Sequence, residues 1–272
     1  MAKLSISKAW EETQHVLAHD GRLMASVALA LVALPSALST LINPGRMSAS
    51  ATPWWVDLVT FVATVIALAG QLALIRLAIG PSITVGAAIA HGIRRMPIYF
   101  VAVLILVVAL FIIAIPCVIL LGALGVPLNA RPIPTSGPVV LVALFYLALV
   151  IYFGVRLLMS SPVASAEDAG PIAILKRSWQ LTAGHWLPLF GFLLIFIVGA
   201  ILLLMAVGAA IGAVVVLLLG QPQPMSAAAL SIALVQSLFS AAVTTLFAVM
   251  LARIYLQLTG GGVQASVPSS GI

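Results

Sequence analysis

Apolar and polar positions along this chain follow one coarse pattern three times over. A short, charged, amphipathic stretch leads into an uncharged apolar run, a turn, and a second apolar run that closes near a lone arginine. The amphipathic stretches begin at Ile6 (ISKAWEETQHVLAHD), Ile83 (ITVGAAIAHGIRR) and Ile172 (IAILKRSWQLTAGHW), and the closing arginines are Arg76, Arg156 and Arg253. The apolar runs predict six membrane spans, at 23–42, 54–79, 97–121, 139–159, 186–219 and 225–258. They are continuously apolar and do not alternate in ten-residue segments, so the reading is helices and not a β-barrel. The last two exceed what a bilayer needs and predict tilt or extension beyond it. Pro35 and Pro116 fall inside spans, where loss of an amide donor predicts kinks. The expected fold is an all-α polytopic bundle: six transmembrane helices in three repeats (5–80, 81–160 and 161–258) of amphipathic elbow helix plus hairpin. One integral membrane domain then accounts for the whole of 1–272, with 261–272 read as a disordered tail.

Composition agrees with this class: 63% of residues are hydrophobic, 7% are charged and the mean hydropathy is +1.27. Charge then orients the bundle. Of 12 Lys and Arg, all but Arg46 and Arg131 fall on the side holding both termini and the loops after spans two and four. That bias predicts cytoplasmic termini. The net charge of +6 reads as topology and contact with anionic headgroups, without the aromatic-interleaved basic stripe of a nucleic-acid binder. The single cysteine, Cys117, excludes an internal disulfide. The loops NPGRMSASATP, GALGVPLNARPIPTSG and GQPQP are too short to fold independently.

Each amphipathic stretch predicts a helix lying in the interface. In the first, Ile6, Trp10, Thr13 and Leu17 share a face, with Lys8, Glu11, Glu12, His15 and His19 opposite. In the second, Val85, Ile89, Ile93 and Met96 face away from Thr84, His91 and Arg95. In the third, Ile172, Leu175 and Trp179 form a stripe, with Lys176, Arg177 and Gln180 on the polar arc. Pro171 suits its first helical position, and Glu167 and Asp168 precede the positive end of its dipole.

The run from Ser161 to Trp186, SPVASAEDAGPIAILKRSWQLTAGHW, resembles the signature of bacterial membrane domains related to the glycerophosphoryl diester phosphodiesterase membrane domain and the YciC-like proteins. The matching positions are Glu167, Gly170, Pro171, Ser178, Trp179, Leu181, Thr182, Gly184 and Trp186. The resemblance implies a bacterial inner-membrane helical bundle. It does not imply phosphodiesterase activity, because the soluble barrel that carries it is missing from this sequence.

Catalytic groupings are weak. Glu12 with His15 and His19 offers a partial metal constellation on a solvated helix face, and Ser178, His185 and Asp168 lack the spacing of a triad. No enzyme activity and no cofactor are expected. The arginines Arg76, Arg156 and Arg253 have two readings: snorkelling to phosphate or terminal carbonyls, or a ring that binds an anionic headgroup or the carboxylates of Glu167 and Asp168. With Lys176, Arg177, Ser178 and Trp179 they make the candidate site for membrane lipid or a membrane protein partner. Gly208 and Gly212 form a GxxxG step expected to let the fifth span approach the sixth closely. The leading function is a structural or accessory role in envelope or lipid homeostasis; the alternative is a transporter or permease-like component for a small or lipidic substrate. The sequence leaves the oligomeric state open.

Overall fold

The computed structural model describes residues 4–42, 53–80, 83–127, 136–221 and 226–260. Arg46, Arg131, the three distal loops in large part and the 261–272 tail lie outside them. The described residues are helical, without strands: α1 (Ile6–Ala28), a π-turn (Leu29–Ala33), α2 (Leu34–Ile42), α3 (Trp54–Ile79), α4 (Val85–Ala123), α5 (Gly137–Arg156), α6 (Ser160–Ala166), α7 (Pro171–Thr182), α8 (Trp186–Leu219) and α9 (Ala227–Thr259). Six continuous segments are long and apolar enough to cross a membrane, which marks a membrane protein.

Local chemistry sets the helix ends. The hydroxyls of Ser5, Thr84 and Ser226 accept from the amides of Lys8, Ala87 and Ala229 at 3.4, 3.3 and 3.1 Å, capping α1, α4 and α9. Gly260, at φ 75°, closes α9 in the left-handed conformation that a side chain would disfavour.

The first two amphipathic stretches are not separate elbows. The first is the beginning of a helix that runs on through Ile42, and the second the beginning of a 39-residue α4 that continues through Pro97 and Pro116. Nothing ends the helix at either junction. Only the third is set apart, because Gly184 takes φ 83° and terminates the segment before α8. At Pro35 the expected disturbance takes a definite form: the π-turn lies just ahead of it, with the Leu34 amide reaching back five residues to the Leu29 carbonyl.

The predicted faces also need correction. In α1 the buried stripe is Ala9, Thr13 and Val16, whereas Trp10 turns outward. In α4 the buried stripe is Ala88, Gly92, Arg95, Tyr99 and Ala102, so Arg95 sits on the packed face and Ile93 on the exposed one. Backbone approach selects that face: a Cβ on Gly92 would stand 2.6 Å from the Ala69 carbonyl oxygen of α3. Gly70 of α3 makes a similar crossing, its Cβ position 2.7 Å from the Leu31 Cβ.

The core divides in two. One cluster joins α1, the π-turn, α3 and α9 through Met24, Val27, Val32, Leu74, Ile75 and Val249. The other joins α5, α6, α7, α8 and α9 through Val155, Met159, Val163, Ile174, Leu189 and Ile254. The distal halves of α4, α5 and α8 remain on the outside, where Phe111, Ile119, Leu141, Phe145 and Leu217 are exposed as a hydrocarbon solvent permits.

Candidate functional site

The bend between α6 and α7 is organised by one carboxylate. Glu167 Oε1 accepts from the Tyr255 hydroxyl of α9 at 2.9 Å and from Arg177 Nε of α7 at 3.2 Å. The Glu167 carbonyl accepts from Arg95 Nη2 of α4 at 3.1 Å, and Arg95 also pairs with Asp168. Behind the bend, Ser165 donates to the Leu72 carbonyl at 3.0 Å, and its own carbonyl meets His91 Nε2 at 2.9 Å. Four helices thus converge on residues 165–168.

Within α7, the side facing the bundle is Ile174, Ser178 and Thr182. The Ser178 and Thr182 hydroxyls both donate to the Arg156 carbonyl, at 3.1 and 3.0 Å. That carbonyl belongs to the last turn of α5, where no helical amide remains to meet it. Either hydroxyl can stand in for the other, so Ser178→Ala and Thr182→Ala alone are expected to cost little in detergent melts. Combined, they leave the carbonyl unpaired and are expected to cost about 1–2 kcal/mol.

The predicted stripe of Ile172, Leu175 and Trp179 faces outward instead, into a groove of 490 Å³ completed by Ile105, Leu106 and Ala109 of α4, by Phe153 of α5 and by Leu157 just beyond it. Lys176 and Gln180 supply the polar groups of its lining. Trp179 also meets the Arg156 guanidinium, whose Cζ lies 4.9 Å from the Trp179 ring centre and 5.5 Å from that of Tyr152. Arg156 Nε and Nη1 are buried and have no hydrogen-bond partner among the described residues, and the same holds for Trp186 Nε1, whose ring lies 6.2 Å from Tyr152.

The other arginines have different surroundings. Arg253 Nη2 donates to the Ala78 carbonyl in the last turn of α3, at 2.9 Å. The Arg76 guanidinium makes no hydrogen bond or ion pair among the described residues. Gly208 and Gly212 correct an expectation: a Cβ at either meets nothing within 4 Å, and both line a 160 Å³ cavity between α8 and α9. The close helix approaches occur at Gly70 and Gly92. Sequence reasoning missed Arg95, Tyr255 and Tyr152. Only the position of Arg95 near a predicted elbow was suggestive, since aromatic residues inside apolar runs carry no polar signal.

Comparison with known proteins returns no match among curated proteins and none among solved structures. No relation to phosphodiesterase membrane domains or YciC-like proteins comes with the match that is found. That match covers residues 4–258, and the chain belongs to the family described as Domain of unknown function (DUF7847).

Proposed function

We propose that this protein is a non-enzymatic, multi-pass protein of the bacterial cytoplasmic membrane, with both termini cytoplasmic, that binds anionic phospholipid in an accessory role in envelope or lipid homeostasis. The observation that carries this reading is the apolar groove between α4, α5 and α7, with Lys176 in its lining. An acyl chain fits such a groove, and a phosphate fits an ammonium beside it. Arg156, held against the Trp179 ring without a hydrogen bond for two of its nitrogens, adds positive potential behind the same wall. The concentration of basic residues on the face holding both termini supports the orientation, and the resemblance carried by residues 161–186 supports the bacterial setting.

In nanodiscs of defined composition, native mass spectrometry is expected to show phosphatidylglycerol retained in preference to phosphatidylcholine. Lys176→Gln combined with Arg156→Gln should reduce that retention about thirtyfold, since each cation near the surface contributes about 1 kcal/mol and about 1.4 kcal/mol is a factor of ten. Equal retention of the two lipids, or retention unchanged in the double variant, overturns the reading.

A transporter or permease-like component remains the second reading, favoured by a hydroxyl-lined cavity that reaches the middle of the bundle between α2, α3, α8 and α9. Phe192, Phe196 and Phe247, with ring centres 4.9–6.3 Å apart, lie between that cavity and the face holding the termini. The accessory reading is preferred on that ground.

A further inference from the structure

The cavity between α2, α3, α8 and α9 has a volume of 460 Å³ and walls rich in hydroxyls for an otherwise apolar bundle. Ser36, Ser39 and Thr40 line it from α2, Thr64 from α3, and Gln236, Ser237, Ser240 and Thr244 from α9. No charged residue lines it among the described residues. On α9, a 33-residue helix, Gln236 to Thr244 straddle the middle.

The hydrogen bonds already made there determine what the walls can offer. Ser39, Thr40, Thr64 and Ser237 donate to carbonyls of their own helices at 3.0, 3.0, 2.8 and 2.9 Å. Their protons are used, and their oxygens keep lone pairs. Ser36, Gln236, Ser240 and Thr244 engage in no side-chain hydrogen bond among the described residues, so the Gln236 amide can both donate and accept. Gln236 is exposed on the cavity wall, so its amide is within reach of a guest. The site is therefore rich in acceptors, uncharged, and suited to a neutral guest that carries O–H donors. Anionic headgroups would find no cation.

The cavity continues on one side into the 160 Å³ space at Gly208 and Gly212, sharing Leu204, Gln236 and Phe239 with it. That second space is lined otherwise by Val207, Ile211, Ile232 and Val235. A polar chamber opening onto an apolar slot matches a molecule with a hydroxylated head and a hydrocarbon chain. The missing side chains at Gly208 and Gly212 are what leave the slot open.

We propose that this cavity binds a neutral, hydroxyl-bearing amphiphile of the monoacylglycerol type, its head among the α2 and α9 hydroxyls and its chain along Gly208 and Gly212. This site is distinct from the α7 groove in ligand charge and in position. It is tested by photolabelling the full chain in nanodiscs with a diazirine-bearing monoacylglycerol, followed by peptide mapping. Label is expected within 204–212 of α8 and 232–239 of α9, competed by unlabelled monooleoylglycerol and not by phosphatidylglycerol. Gln236→Leu and Gly208→Leu should each lower labelling about tenfold by removing hydrogen bonds or filling the slot. Both should retain the parent melting temperature, because neither disturbs a packed contact, and Arg156→Gln should leave labelling unchanged. Label that ignores both variants, that spreads along the lipid-facing sides of α4 and α5, or that phosphatidylglycerol displaces equally well overturns the proposal.

Discussion

Gly92→Ala is expected to lower the melting temperature in detergent by several degrees, corresponding to a loss of about 1–3 kcal/mol. The added methyl would lie 2.6 Å from the Ala69 carbonyl oxygen and 3.2 Å from both the Cβ and the amide nitrogen of Ala73. None of these is the end of a flexible side chain. Relief requires α3 and α4 to move apart along a crossing that also holds Arg95 in place. Gly208→Ala provides the comparison, since its methyl enters open space and should leave the melting temperature unchanged. Equal stability for Gly92→Ala and the parent would show that α3 and α4 do not cross here.

Glu167→Ala is expected to cost about 2–3 kcal/mol, most of it through Tyr255. The Arg177 contact is partly exposed on both sides, at 44% and 30%, so screening limits it to less than about 1 kcal/mol. The Tyr255 hydroxyl is the more protected partner and donates to a carboxylate, a stronger bond than one between neutral groups. Glu167→Gln keeps an acceptor for Tyr255 and should cost less than Glu167→Ala. A double-mutant cycle with Tyr255→Phe should return a coupling of about 1–2 kcal/mol. Additive losses would mean that the hydroxyl and the carboxylate do not support each other.

The spans were legible because a run of apolar residues constrains a helix directly: the predicted 54–79 coincides with α3, and 186–219 with α8. The third amphipathic segment was legible because its signals are local, with Pro171 at the start and Gly184 at the end. Faces were not. On a helix in lipid the apolar side can point outward, so Ile93 and Ile172 are exposed while Arg95 and Ser178 are buried. Nor could the sequence distinguish the two uses of glycine. Gly92 admits a backbone, whereas Gly208 lines a void, and the difference lies in a neighbouring helix. The α7 groove and the hydroxyl-lined cavity each take walls from several helices, so no single stretch announces them.

The π-turn at Leu29–Ala33 acts as a rotational gearing for α2. One surplus residue in a helix changes the phase of every later position by about 100°. Through this phase change the hydroxyls of Ser36, Ser39 and Thr40 arrive at the interior chamber from the same continuous helix that, before the turn, packs Val27 and Ala28 into the core. Regular α-winding of that turn with its residue count unchanged would swing the three hydroxyls about a quarter turn away from Gln236, whereas a single-residue deletion within it would restore regular winding and leave them in place.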